Sequence, residues 1–348
     1  MSVQLERSKS REKGCDDVAM AMLVYHLISI TIAYIIDLVV GDPPDWPHPV
    51  KWIGGMIVFF EKRWNKGDRK RLKGAFMLLV VLLTVFLLVT LIVLIGYKIS
   101  PLLGILVESF IISATIAQKS LKQASLEVYQ PLKEGDLKAA REKLSYIVGR
   151  DTDKLNEGEI ARGVIETVAE NTSDGVTAPL FWALLGGAPL AMVYRATNTC
   201  DSMVGYINER YKEFGWASAK WDDVLNWIPS RLTGIIMLLG NMPKKTSFQE
   251  AWTILFRDAK KHPSPNSGWG EAAVAAILGI QLGGINYYKG MVSNRAKMGE
   301  PIQRIQFEQI HAANVILSRT ASLFLLFLWA GGMTLEMAIT WIQSSISL

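Results

Sequence analysis

The sequence predicts an all-α, polytopic integral membrane protein, with about four full transmembrane helices plus broken or re-entrant helices around a polar cavity. Three observations carry this. Half of the 348 residues are hydrophobic and only 20% are charged. Between Lys73 and Lys98 lie 24 residues without a charge, enough to cross the hydrocarbon core of a bilayer as a helix. The other apolar stretches are cut by Gly and Pro or end on clusters of acid, amide and arginine, as helices lining a cavity do.

Residues 1–17 form a polar extension without the apolar core or cleavage site of a signal peptide, and 18–348 read as one membrane domain. The first apolar run, Val18 to Ile36, is interrupted only by His26 and ends at Asp37. GDPPDWPHPVKWIGG follows; its prolines exclude a helix running through them, and Trp46 and Trp52 suit an interfacial loop. The 13 residues from Glu61 to Lys73 carry seven basic and two acidic side chains. This is a topology signal with anionic lipid contact, and with no aromatic-interleaved basic patch beside it the net charge of +5 does not indicate nucleic acid.

After the 74–97 helix, Ser100-Pro101 turns the chain into a second apolar run reaching Ala117, with Glu108 at its centre. A carboxylate at that depth belongs in a protein interior or a wet cavity. Residues 118–174 read as polar, soluble helices; Leu137, Ala140, Leu144, Ile147 and Val148 share a helical face that Gly149 closes. Gly175–Tyr194 is uncharged but broken by Pro179, Gly186-Gly187 and Pro189. Leu232–Pro243 is short, Ala272–Tyr288 ends on glycines, and Thr320–Leu335 is a firm span continuing toward Trp341. The loops 118–174, 195–231, 244–271 and 289–311 all carry Lys and Arg and favour one side. Re-entrant segments reconcile that with the number of apolar runs.

Four polar clusters stand out. GRDT holds Arg150 and Asp151. EIARGVIETVAENTSDG places Arg162, Glu166 and Glu170 at i, i+4, i+8, and Asn171 and Asp174 extend the ridge to Gly175. NTCDSM brings Asn198 and Asp201, and DDVLNWIPSR repeats Asp222, Asn226 and Ser230 with Asp223 and Arg231 beside them. A solvated helix laced with ion pairs would explain the second cluster alone. Acids and amides recurring at three membrane-adjacent positions favour a Mg²⁺–phosphate site. KHPSPNSGWGEAA adds a loop opening a helix, with His262 nearby and Asn266 or Ser267 as N-cap, which suits either an anion or an ordinary capped turn. P-loop, dinucleotide, nucleophile-elbow and zinc-helix motifs are absent, and Cys15 and Cys200 match no metal spacing.

GDPPDWPHPVKWIG, LSYIVGRDTDKL, IETVAENTSDGVTAPLFWALLGG, YRATNTCDSMVGY, FGWASAKWDDVLNWIPSRLTG and KHPSPNSGWGEAAVAAILGIQLGG together resemble the CobD/CbiB family of cobalamin biosynthesis, the adenosylcobinamide-phosphate synthases, from about Asp37 to Gly284. The resemblance implies an enzyme that joins adenosylcobyric acid to (R)-1-aminopropan-2-ol O-phosphate, or a related amino alcohol, through an amide bond, consuming ATP with Mg²⁺. It implies the cytoplasmic membrane and a site facing the cytoplasm; contact with the decarboxylase that supplies the amino-alcohol phosphate stays an open alternative at this point. On this footing Glu166, Glu170, Asp174 and Asp201 are catalytic, and Asp174, Asp201, Asp222 and Asp223 hold the metal. Arg150, Asp151, Arg162, Asn171, Asn198, Asn226, Arg231, His262, Asn266, Ser267, Asp42 and His48 bind substrate or phosphate. Trp46, Trp52, Trp216, Trp221 and Trp269 either pack on the corrin or form an interfacial belt, the belt being the simpler account. A transporter, suggested by the broken helices and Glu108, and a non-catalytic AmpE-like membrane sensor are the alternatives.

Overall fold

The computed structural model describes residues 22–43 and 47–346. The extension 1–17 and Trp46 lie outside the described residues. The helices are α1 (Met22–Val39), α2 (Pro49–Trp64), α3 (Lys70–Ile99), α4 (Pro101–Ser113), α5 (Gln118–Glu134), α6 (Leu137–Ser145), α7 (Glu157–Thr172), α8 (Ala178–Val204), α9 (Trp216–Leu225), α10 (Trp227–Gly240), α11 (Phe248–Asp258), α12 (Ser267–Leu278) and α13 (Glu308–Ile346). A hairpin of β1 (Leu282–Tyr288) and β2 (Met291–Met298) stands between the last two helices.

Five stretches are long and apolar enough to cross a membrane: Met22–Val39, Lys70–Ile99, Pro101–Glu134, Glu157–Val204 and Glu308–Thr334. This is a multi-pass membrane protein. The span beyond the four expected is the interrupted 175–194 segment, which is joined to α7 through a π-helical turn at Ser173–Thr177. α3, 30 residues and about 45 Å long, shows why its sequence carries no polar face. Val81, Val85, Val89 and Val93 are buried along one side, while Leu79, Leu83, Leu87 and Leu91 are exposed along another. Both sides are apolar because one meets protein and the other meets lipid.

α8 is the pivot. Gly186 and Gly187 leave helical geometry, Gly187 at φ 59° and ψ −154°, a conformation that only glycine adopts readily. The break exposes the backbone N–H of Ala188, which donates to Glu108 Oε1 at 3.0 Å. Tyr97 Oη (2.7 Å) and Ser29 Oγ (3.3 Å) donate to Oε2, and His26 Nδ1 lies 3.1 Å from Oε1. A Cβ at Gly187 would stand 1.9 Å from Glu108 Oε1. Glu108 thus caps the second half of α8 from a neighbouring helix, and that half carries Arg195, Asn198 and Asp201.

Three local expectations are corrected. The 41–55 stretch is not all loop: His48 caps α2, Pro49 opens it, and Trp52 stands on the helix. The helix expected to close at Gly149 ends at Ser145, and residues 146–149 turn toward the hairpin. Ala272–Tyr288 is no single apolar segment; it is the end of α12, a turn at Gly279, and β1. Lys289 and Gly290, both at positive φ, close the hairpin, the two-residue turn that matches strand twist.

α7 is not a solvated helix. A capping box from Asn156 and Glu159 starts it, and Ile160, Val164, Ile165, Val168 and Ala169 are buried where it meets α5, α12 and α13. Its acidic ridge therefore faces protein.

Candidate functional site

The ridge of α7 reaches two adjoining polar regions. At its first half, Glu166 is almost fully buried and bidentate. Oε2 accepts from Arg150 Nη1 at 2.8 Å and Oε1 from the Gly283 amide at 2.9 Å. Arg150 Nη1 also donates to Asn286 Oδ1 at 2.6 Å. Arg162 donates to the carbonyls of Gly283 and Ile285 and to Asn286 Oδ1. The hairpin is thereby clamped onto α7 by two guanidiniums. Asp151 braces it from outside by accepting from the amides of Lys289 (2.9 Å) and Gly290 (2.7 Å). These amides hold the Asp151 carboxyl below its ordinary pKa. That corrects its expected role in phosphate binding: its acceptor oxygens close a turn.

Between these groups is a cavity of about 130 Å³, lined by Arg150, Gly163, Glu166, Glu170, Asn171, Glu271, Tyr288 and Arg295 among others. Several buried polar atoms around it lack a partner: Arg150 Nε and Nη2, Arg162 Nε, Asn286 Nδ2, His262 Nε2 and Glu271 Oε1. Gly163 gives the Arg150 guanidinium its room here, since a Cβ would come within 2.5 Å of Nη2 and displace it. His262 Nδ1 accepts from the Ser264 amide at 3.0 Å, which leaves Nε2 facing Glu271 Oε1 at 3.5 Å without a hydrogen bond. Burial, with the Glu166 and Glu170 carboxylates beside it, pushes Glu271 well above the usual carboxylate range. Desolvation lowers His262 despite the acids around it.

The second region lies at the end of the ridge. The charges of Asp222, Glu170 and Asp201 all bear on Asp174. Asp222 is buried, accepts from Asn226 Nδ2 at 3.0 Å and Asn198 Nδ2 at 3.4 Å, and is pushed up to about 7 by burial and then by Asp201. Asn226 Oδ1 in turn accepts from Tyr194 Oη at 2.8 Å, and the same hydroxyl is 3.1 Å from the Asp174 carbonyl. Arg195 sets a positive charge near Asp174. Asp42 is held by His48 Nε2 (3.1 Å) and Ser120 Oγ (3.0 Å). These donors outweigh burial and keep its carboxyl below the ordinary value. The charge of Arg195 thus acts on Asp42 as well as on Asp174.

The expected ligands are only partly assembled. Among the described residues no three His, Cys, Asp or Glu side chains stand as a ready-made metal cage. Asp223 pairs with Lys220 at 3.1 Å on the outer side of α9, because consecutive residues of a helix point apart. Asp223 nevertheless bears on Asp201 and Asp222 by its charge, so Asp174, Asp201, Asp222 and Asp223 are electrostatic neighbours, Asp223 with a lysine partner of its own. Mg²⁺ needs one or two protein carboxylates when substrate phosphates complete its shell, and repulsion among these carboxylates is what a cation would relieve.

The 262–267 loop is also tighter than expected. Ser264 Oγ takes the amides of Asn266 and Ser267 at 3.2 and 3.3 Å, so these N–H groups are not open to an anion. Asn266 is consumed by Ser230, Arg231 and the Asp223 carbonyl. Arg231 lies over Trp227 and Trp269, 4.3 and 5.1 Å from the ring centroids, and donates to the Trp227 carbonyl. Both fasten the loop to α10. Ser267 is the functional link, donating to Glu170 Oε1 at 2.8 Å. Asn171 lines the cavity with its amide tied to the Thr167 carbonyl. Trp52, Trp216 and Trp221 are exposed, as a belt requires, but Trp269 is buried.

Sequence reasoning missed Glu271, Arg195, Arg295 and Asn286. Glu271 had a signal of the same kind as Glu108, a lone acid in an otherwise apolar helix. Arg195 is the first charge after 20 uncharged residues. Arg295 and Asn286 had none, since they depend on recognising the hairpin.

Fold and site define a class: an α-helical multi-pass membrane protein with a charge-lined cavity and a group of carboxylates where a broken span meets a polar layer. The sequence model of the CobD/Cbib protein family matches residues 30–317. The cobalamin biosynthesis protein CobD of Halalkalibacterium halodurans is 56% identical over 312 residues, 89% of this chain and 98% of that one. CobD of Clostridium perfringens is 46% identical over 299 residues, 85% and 95% of the two chains. CbiB of Salmonella paratyphi B is 44% identical over 288 residues, 82% and 90%. No solved structure matches. The chain belongs to the CobD/CbiB family, and its role is in cobalamin biosynthesis.

Proposed function

We propose that this protein is an ATP-dependent acid–amine ligase that joins adenosylcobyric acid to an amino-alcohol phosphate, giving adenosylcobinamide phosphate. The observation that carries the reading is the α7 ridge. Glu166 sits among guanidiniums at one end, Asp174 beside Asp201 and Asp222 at the other, and Glu170 between them exerts its charge on both groups.

Amide formation needs an activated carboxylate. In the proposed sequence a carboxylate oxygen of the corrinoid bonds to the γ-phosphorus of ATP as the bond to ADP breaks. The amine nitrogen then attacks the acyl carbon of the acyl phosphate and inorganic phosphate leaves. The ammonium must lose a proton before attack, and Glu170, fixed by Ser267, is placed to take it. Asp174 and Asp222, supported by Asn226 and Asn198, would hold Mg²⁺, which supplies neutralisation of the transferring phosphoryl charge. Arg195 complements that group as a fixed cation. Arg150 and Arg162 keep the hairpin closed over the cavity.

The test uses purified full-length protein in nanodiscs with adenosylcobyric acid, aminopropanol phosphate, ATP and Mg²⁺. Mass spectrometry should find adenosylcobinamide phosphate with matched ADP, dependent on all four components. Folded protein that yields no product overturns the ligase reading, and substrate uptake into sealed vesicles without ATP turnover would replace it with transport.

A further inference from the structure

The cavity beside α7 has a charge pattern that goes beyond a general phosphate site. Its cations come from the 149–150 turn and the hairpin: Arg150, whose Nε and Nη2 have no partner, and Arg295, whose Nη2 donates to Tyr288 Oη at 2.7 Å. Its uncommitted carboxylates come from α7 and α12. Glu170 uses one oxygen to accept from Ser267, and Glu271, 1% exposed, has Oε1 without a donor. Arg162 and Glu166 lie beneath and are spent on each other and on the hairpin backbone. Buried groups left unpaired are costly, and here orphaned donors and an orphaned acceptor border one small space.

Size narrows the occupant. About 130 Å³ is near the ~150 Å³ of a cavity that takes benzene. It is well below the ~300–1,000 Å³ that drug-sized ligands occupy. A nucleotide or a corrin would extend well beyond it; a chain of a few atoms with a charge at each end fills it.

We propose that this cavity binds the small amine substrate as a zwitterion, a phosphate monoester with a primary ammonium two or three carbons away, its phosphate against Arg150 and Arg295 and its ammonium against Glu170 and Glu271. The assignment rests on the ligase reading above and adds to it an address and an orientation. The amine end points along the ridge toward Glu170, the group proposed to accept its proton. The nucleotide is left to the Asp174–Asp222 region. Guanidinium forks match carboxylates as well as phosphates, so an amino acid is the competing ligand of the same charge pattern.

Binding is measured by calorimetry on the full chain in nanodiscs, with O-phosphoethanolamine, inorganic phosphate, ethanolamine and β-alanine as separate probes. O-phosphoethanolamine should bind at least ~10-fold more tightly than either half or β-alanine, as one further charge-assisted contact gives. Arg295→Gln should weaken O-phosphoethanolamine and inorganic phosphate alike, with Arg295→Lys restoring part of the loss. Glu271→Gln should weaken O-phosphoethanolamine and leave inorganic phosphate unchanged. Equal binding of β-alanine, or no gain over inorganic phosphate, overturns the inference. In turnover, Arg295→Gln should raise KM for the amino-alcohol phosphate and not for ATP; the reverse would make the cavity a nucleotide site and overturn the assignment while the ligase stands. Zwitterion binding as described with no product from wild-type protein would instead sink the ligase reading and leave the ligand assignment in place.

Discussion

Glu108 and Glu271 are both lone acids in apolar helices, and both are buried to within 1% of completely. Around Glu108 the protein has closed every position: His26, Ser29, Tyr97 and the Ala188 amide all reach the carboxylate. Around Glu271 it has closed none, and the nearest cation-capable group, His262 Nε2, stops at 3.5 Å. A buried carboxylate is costly unless paired and hydrogen-bonded. The saturated one repays that cost by fixing the break in α8, so it belongs to the architecture. The unsaturated one is instead held well above the usual carboxylate range by burial, with Oε1 unpaired beside a cavity, so its ionisation depends on a cation arriving there. This also removes the transporter's main support, since the acid inside the spans is an intramolecular cap.

If the comparison holds, the two regions respond oppositely to substitution. Asp174→Asn should reduce product formation by roughly 10³-fold, the upper part of what losing a charged catalytic group costs. It should leave insertion and thermal stability intact or improved, because Asp201, Asp222 and Glu170 no longer repel it. Wild-type turnover would remove the metal-site proposal. Glu108→Ala should do the reverse, lowering stability by about 3–5 kcal/mol as the rest of a buried network is left unpaired. Glu108→Gln keeps an acceptor for Ala188 and should recover part of the loss. Thermal unfolding in detergent separates them, and an Ala variant as stable as wild type would break the architectural half of the comparison.

Much of this division was legible in the residues. Apolar runs gave the spans, and Gly186-Gly187 with Pro189 gave the break. The i, i+4, i+8 spacing of Arg162, Glu166 and Glu170 gave the ridge, because helical periodicity is local. The pairing of β1 with β2 was not, although Tyr-Tyr-Lys-Gly-Met-Val carries a two-residue turn; β1 follows an apolar helix and extends its run without a change in polarity. Asp151, Asn266 and the amides of the 262–267 loop read as ligand groups because their chemistry suits an anion. Their use in bracing a hairpin and a loop is a tertiary fact.

A smaller effect sharpens the unsaturated half. Glu271→Gln removes a buried carboxyl without removing its shape, and should leave stability unchanged or raise it by about 1 kcal/mol while weakening the amine substrate. The same substitution at a saturated acid would destabilise. A marked loss of stability on Glu271→Gln would mean that the carboxylate is paired after all.

The smallest effect is a slope with pH. Asp222 titrates near 7 in the folded protein and near ~3.9 when unfolded. A carboxyl raised on folding favours the folded state when protonated. Its contribution is therefore fully present below about 4 and is lost as pH rises through about 7. Apo protein should melt a few degrees lower at pH 8.5 than at pH 5.5, and Asp222→Asn should flatten that difference. Mg²⁺ at pH 8.5 should restore the wild type, because a cation replaces the missing proton between Asp222 and its neighbours, and should do nothing for the Asn variant. A slope that survives in Asp222→Asn would place the titrating group elsewhere; a Mg²⁺ effect that survives would place the metal elsewhere. Either result would leave Glu108 as the better understood of the two buried acids and reopen the ligand side of the comparison.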